Sequence, residues 1–139
     1  KFVGDLIMAV FGAPKSYGND AHNAARCARR MIEERAKLNE TSRHCILMGI
    51  GIASGQAVAG CMGSSDRLNY TVLGERVNLA SRLCGSAGKM DVVIDQTTRE
   101  RLGDLARVEA LPELTLKGFS ETVHAFKLLE IHPLPPEPK

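Results

Sequence analysis

Glycine recurs where an apolar stretch would otherwise read as uninterrupted strand. Residues 45–62 are rich in Ile, Ala, Met and Cys, yet they carry Gly49, Gly51, Gly55 and Gly60. A glycine inside a strand gives up packing and order, so each marks a place where another backbone or a neighbouring subunit comes close. The runs on either side of Ser54-Gly55 predict a hairpin turning there. An earlier pair of runs, Phe2-Val3 and residues 6–11, flanks Gly4-Asp5 and predicts another hairpin with turn chemistry at its centre.

Between these hairpins the periodicity changes to that of a helix. Asp20 is the expected cap, Ala24, Ala25, Cys27, Ala28, Met31, Ile32 and Leu38 form the apolar side, and Arg26, Arg29, Arg30, Glu33, Glu34, Arg35 and Lys37 form the solvated side. Further on, residues 68–73 read as a strand stopped by Gly74. Residues 75–84 read as a helix that buries Val77, Ala80, Leu83 and Cys84 and ends at Gly85 and Gly88. A strand at 91–94 runs into a short helix capped by Asp95 and reaching Leu102. Strands at 107–110, 114–117 and 122–131 complete the pattern, the last two joined by a turn at 118–121. Four of the six prolines fall from Pro133 onward, so residues 1–131 are expected to form the domain and 132–139 a Pro-rich tail or linker. This order predicts an α+β fold, a mostly antiparallel sheet with helices on one side. Because Lys1 leads directly into a strand, the chain is expected to be a fragment that lacks an N-terminal strand and helices.

Length and charge narrow the function. At 139 residues there is material for one core. Eighteen Lys and Arg against 16 Asp and Glu give a net charge of +2, and Phe2, Phe11, Tyr17, Tyr70, Phe119 and Phe126 are scattered, so neither a basic groove nor a stacking platform for nucleic acid is present. The apolar stretches fall short of the roughly 20 residues a membrane span needs. Cys27, Cys45, Cys61 and Cys84 form no Cys-x-x-Cys pair, and with no signal peptide they are expected to be free thiols of a cytoplasmic protein. His22, His44, His124 and His132 show no ligand spacing.

Two residues stand out as candidates for chemistry. Asn78 and Arg82, four apart on the expected helix, share one face at about 6 Å. An amide and a guanidinium so placed can clamp a ligand, the Arg bidentate on phosphate; they can equally be polar residues on a wet face, and spacing leaves both readings open. Asp5, at a hairpin tip, is either turn chemistry or one carboxylate of a Mg²⁺ site whose partner acid comes from elsewhere. Lys1 and Thr71 are weaker candidates taken singly.

Taken together, residues 1–12, residues 51–60 and residues 70–82 resemble three signature blocks of the class III adenylate and guanylate cyclase catalytic domain, in that family's order, and Leu116-Lys117-Gly118 resembles a fourth. The resemblance implies a ferredoxin-like, cyclase-type sheet and conversion of ATP to 3′,5′-cyclic AMP and pyrophosphate. It implies that Asp5 is one of two aspartates holding two Mg²⁺ or Mn²⁺ ions, the other lying upstream of Lys1, so that this fragment is expected to be inactive alone. Asn78 would orient the ribose, Arg82 would face the transition-state charge, and Lys117 would bind the terminal phosphates. Lys1 and Thr71 would read adenine, with Thr standing where Asp is frequent; guanine-selecting members usually carry Glu and Cys. It further implies a homodimer with a second catalytic domain, sites shared between the two chains, and a regulatory domain elsewhere in the native protein. The competing implications are a guanylate cyclase and a non-catalytic cyclase-like regulatory domain.

Overall fold

The computed structural model describes residues 2–3, 6–12, 16, 18–55, 58–62, 69–115 and 122–134, with backbone only at 2–3, 58–62 and 69–73. The first hairpin is present: β1 (Phe2–Val3) pairs antiparallel with β2 (Leu6–Ile7), Phe2 opposite Ile7. Helix α1 spans Asp20–Thr41, and its cap position is held by Asn19 instead of Asp20. Asp20 lies inside the first turn, where a carboxylate complements the helix dipole, and its side chain accepts a 2.6 Å hydrogen bond from the Ser16 hydroxyl. The buried line of α1 is His22, Ala25, Ala28 and Ile32, narrower than the apolar residues alone suggest, because the two alanines bring the helix close and leave Met31 and Leu38 exposed.

The remaining elements are β3 (Ile50–Ile52), β4 (Val58–Met62), β5 (Asn69–Leu73), α2 (Glu75–Ser86), β6 (Val92–Asp95), α3 (Gln96–Leu102), a 3-10 turn at Gly103–Leu105, β7 (Ala106–Ala110) and β8 (Ala125–Ile131). Four strands form a sheet in the order β3-β6-β8-β7, parallel between β3 and β6 and antiparallel elsewhere. The hairpin expected around Ser54-Gly55 is replaced by a different pairing. β3 lies beside β6, and β4 pairs with β5 in a separate two-stranded ladder, Thr71 opposite Gly60. The apolar character of β3 is satisfied by a distant parallel neighbour, which adjacency in sequence does not reveal. Leu114 and Val123 form an isolated antiparallel bridge; the turn expected at 118–121 lies outside the described residues.

The fold is α+β as the sequence predicts, with one correction to its layering. Along β6, Val92 and Ile94 meet Ala25, Ala28 and Ile32 of α1, Leu102 of α3 and Leu128 of β8, whereas Val93 meets Leu79 and Leu83 of α2 and Ala125 of β8. Successive residues of a strand face opposite sides, so helices cover both faces of this sheet. The unbroken run Val92-Val93-Ile94 is what a strand buried on both faces requires. No helix among the described residues is long and apolar enough to cross a membrane.

Helix α2 lies on the sheet by direct backbone contact. A Cβ on Gly51 would stand 2.3 Å from the Cys84 nitrogen and 2.4 Å from the Ala80 carbonyl oxygen. The glycine excess in this stretch is thus explained at Gly51 by the helix of the same chain. This contact also sets which side of α2 is buried: Leu79 and Leu83 are, while Val77, Ala80 and Cys84 are half-buried, a rotation from the stripe expected.

His22, which shows no ligand spacing in the sequence, has a structural role in the fold. Its Nε2 stands 2.7 Å from the carbonyl oxygen of His132, which can only accept, so Nε2 carries the proton; Nδ1 is buried with no partner. The His132 amide in turn donates to the Leu105 carbonyl at 2.7 Å.

Two alanine substitutions test the seating of α2 by chemical denaturation. Gly51→Ala forces a methyl into helix backbone and is expected to lose about 1–3 kcal/mol. Gly85→Ala, in the same helix with open space around its Cβ, is expected to gain up to about 1 kcal/mol. Equal effects of the two would refute the contact.

Candidate functional site

Strand β5 delivers the chain to α2 through Gly74, whose φ of 142° and ψ of 172° suit glycine alone. That geometry opens the helix at once: the Asn78 amide donates to the Gly74 carbonyl at 3.3 Å, closing the first turn. Asn78 and Arg82 follow one turn apart, both exposed. The buried residues Leu79 and Leu83 lie round the helix from them, so the fold leaves this polar face outward. Neither side chain has a hydrogen-bond or ionic partner among the described residues; Arg82 contributes only its carbonyl, which accepts from the Ser86 hydroxyl at 3.1 Å. An unengaged amide and an unengaged guanidinium on one face are free donors for a ligand.

The other expected residues fall differently. Thr71 sits in the middle of β5, on the strand that leads into α2; its side chain is outside the described atoms. Lys1, Asp5 and Lys117 lie outside the described residues. The structure therefore brings Asn78 and Arg82 together on α2 and sets Thr71 on the strand that enters it. Among the described residues, no group of three or more His, Cys, Asp or Glu is placed to hold a metal ion.

A second polar assembly adjoins the start of α2. An open groove of about 380 Å³ is lined by Glu75, Arg76, Asp95, Gln96 and His124 among others. Asp95 is only 2% exposed, yet it caps α3 as predicted: its Oδ1 accepts from the Thr98 amide at 2.9 Å and from the Thr98 hydroxyl at 2.5 Å. The Thr98 hydroxyl is also 2.6 Å from that of Ser54. The second carboxylate oxygen of Asp95 faces Arg76 Nη1 at 3.2 Å. Sequence reading found the cap and missed Arg76. A signal existed, because a cation in the first turn of a helix opposes the dipole and calls for an acid to offset it. Its partner, 19 residues on, is visible only in the fold.

Comparison with known proteins places this arrangement. The chain matches the family described as adenylate and guanylate cyclase catalytic domain over residues 1–130. The terminal-differentiation specific adenylate cyclase of Dictyostelium discoideum is 33% identical over 139 residues, covering 94% of this chain and 6% of that protein. An uncharacterized protein of Mycobacterium tuberculosis is 45% identical over 84 residues, 60% of this chain, and the match spans 15% of that relative's length. Among solved structures, the guanylyl cyclase Cya2 superimposes with a TM-score of 0.85 at 32% identity, covering 94% of this chain and 68% of that one. The adenylyl cyclase CyaB from P. aeruginosa gives a TM-score of 0.80 at 28% identity, covering 94% and 70%. With a family match across nearly its whole length and the same fold in two solved cyclases, the chain belongs to the adenylate and guanylate cyclase catalytic domain family.

Proposed function

We propose that this chain is the catalytic domain of an adenylate cyclase, a phosphorus–oxygen lyase that turns ATP into 3′,5′-cyclic AMP and pyrophosphate. The observation that carries the reading is the pair Asn78 and Arg82, one turn apart on the outward face of α2 with their donors unengaged among the described residues. A cyclase needs two such groups. In the reaction the ribose 3′ oxygen attacks the α-phosphorus in line; the new O3′–P bond forms as the bond to the bridging oxygen breaks, and pyrophosphate leaves. Asn78 holds the ribose in near-attack geometry. Arg82 faces the charge that builds on the α-phosphate oxygens, a role whose loss costs about 2.7–4 kcal/mol in the barrier at comparable donors.

The remaining assignments rest on matches to the family's motifs. Lys117 binds the terminal phosphates, and Lys1 with Thr71 selects adenine. Asp5 is one of two aspartates for a pair of Mg²⁺ or Mn²⁺ ions. When bound, such ions neutralise the triphosphate and lower the pKa of the 3′-hydroxyl. In a homodimer, one chain offers Asp5 to the metals and the other offers Lys1, Thr71, Asn78 and Arg82, so two-fold symmetry makes two equal sites. Residues 1–131 belong to the catalytic domain and 132–139 are a Pro-rich tail or linker, with a regulatory domain elsewhere in the native protein and the domain at work in the cytoplasm.

Guanylate cyclase is the second reading, favoured by the likeness to Cya2 at 32% identity. Lys1 and Thr71 are the residues that rank it second. A non-catalytic cyclase-like regulator is disfavoured by the presence of Asp5, Asn78 and Arg82 together.

Cyclic nucleotide formation by the intact protein tests the proposal. With Mn²⁺ present, ATP should be the better substrate by kcat/KM, and Lys1→Glu combined with Thr71→Cys should move the preference toward GTP. A wild-type preference for GTP would sink the adenylate assignment. Arg82→Ala should lower kcat by about 10²–10³-fold, and both it and Asn78→Ala should leave the unfolding free energy within about 0.5 kcal/mol, since exposed unpartnered groups contribute little to it. Full activity in Arg82→Ala would remove the role given to α2.

A further inference from the structure

We infer that Arg76 and Asp95 form a positioning lock that fixes the register of α2, and with it the placement of Asn78 and Arg82. The inference rests on the catalytic reading of those two residues.

Consider first what Asp95 does not need to be. Capping α3 uses one oxygen, Oδ1, and Ser, Thr or Asn serve equally well at such a position. A full carboxylate at 2% exposure is costly to bury, and the cap makes no use of its second oxygen. That oxygen is directed out of α3 and across to α2, at 3.2 Å from Arg76 Nη1. Arg76 is equally unsuited to its own helix, since its charge lies in the first turn, against the dipole. Asp95 carries a charge that its cap does not require and Arg76 one that its helix disfavours, and each is accounted for by the other.

The grip has a second side. An added Cβ on Gly55 would lie 2.8 Å from Arg76 Cγ and 3.0 Å from its Nε, so the loop after β3 lies flat along the arginine stem. The same loop contributes the Ser54 hydroxyl, which meets Thr98 and through it Asp95. Arg76 is therefore held between the Gly55 backbone and a carboxylate that three segments define. Two residues later comes Asn78, and one turn beyond that Arg82. The other fixed point of α2 is its backbone contact at Gly51, which engages Ala80 to Cys84. A helix pinned at its first turn and again in its second half can neither roll nor slide, and reacting groups need their partners placed to within about 1 Å.

Arg76→Met keeps the stem and removes the charge, and Arg76→Lys keeps the charge. In the intact protein, Arg76→Met should lower kcat for cyclic AMP formation about tenfold with KM for ATP within about twofold. Arg76→Lys should recover kcat to within about threefold of wild type. Combined with Arg82→Ala, the loss should fall short of the product of the two single losses, because there is no guanidinium left to misplace. Hydrogen exchange supplies a readout apart from activity: amides 78–83 should exchange faster in Arg76→Met than in wild type. A wild-type kcat in Arg76→Met, a loss confined to KM, or losses that multiply in the double variant would overturn the lock. If instead Arg82→Ala retains full turnover, the catalytic reading of α2 fails, whatever the exchange data give.

Discussion

The seating of α2 on a side-chain-free spot of the sheet is the contact on which the rest of this domain depends. Two layers ordinarily stand apart by the thickness of their side chains. At Gly51 that thickness is absent, and helix backbone rests on strand backbone. Leu79 and Leu83 can then reach Val93 and Ala125 to complete one face of the core, while the far side of the same helix is left to water. What the strand lacks therefore decides what the helix displays.

The polar groups divide by burial. Ion pairs on the surface, such as Arg30 with Glu34 at 3.0 Å, join side chains that are 75% and 48% exposed and contribute little to stability. The Asp95 assembly is of another kind, because its acid is removed from water and its partners come from α2, α3 and the loop after β3. Removing one member of such a set leaves a buried group unsatisfied, a cost that surface pairs do not carry. Asn78 and Arg82, by contrast, hold nothing in place among the described residues. A domain organised this way keeps the groups that fold it separate from those available to a ligand.

Much of this was legible in the sequence, and where it was not the reasons are physical. The element order, the start of α2 after Gly74, the Asp95 cap and the shared face of Asn78 and Arg82 follow from signals within a few residues of each other. So did the close approach at Gly51, although not the identity of what approaches. The parallel pairing of β3 with β6 is hidden behind a local hairpin signal, since an apolar run does not say which distant strand will satisfy it. Burial of β6 on both faces was written in Val92-Val93-Ile94, but that run is equally compatible with one-sided packing until α1 and α2 are placed. The role of Arg76 depends on Asp95, which only the fold brings beside it. For the site itself, the helix pair was readable from spacing, whereas Lys1, Asp5, Thr71 and Lys117 could be named only through resemblance to a family.

One feature of the α1 face bears on how the domain is handled from outside. Beyond β8, the chain is tied down through His132, whose carbonyl meets His22 and whose amide meets Leu105. The first of these ties is to α1, the layer opposite α2. The end of β8 is therefore anchored to α1 and to the turn before β7, and among the described residues the helix bearing Asn78 and Arg82 takes no part in holding it.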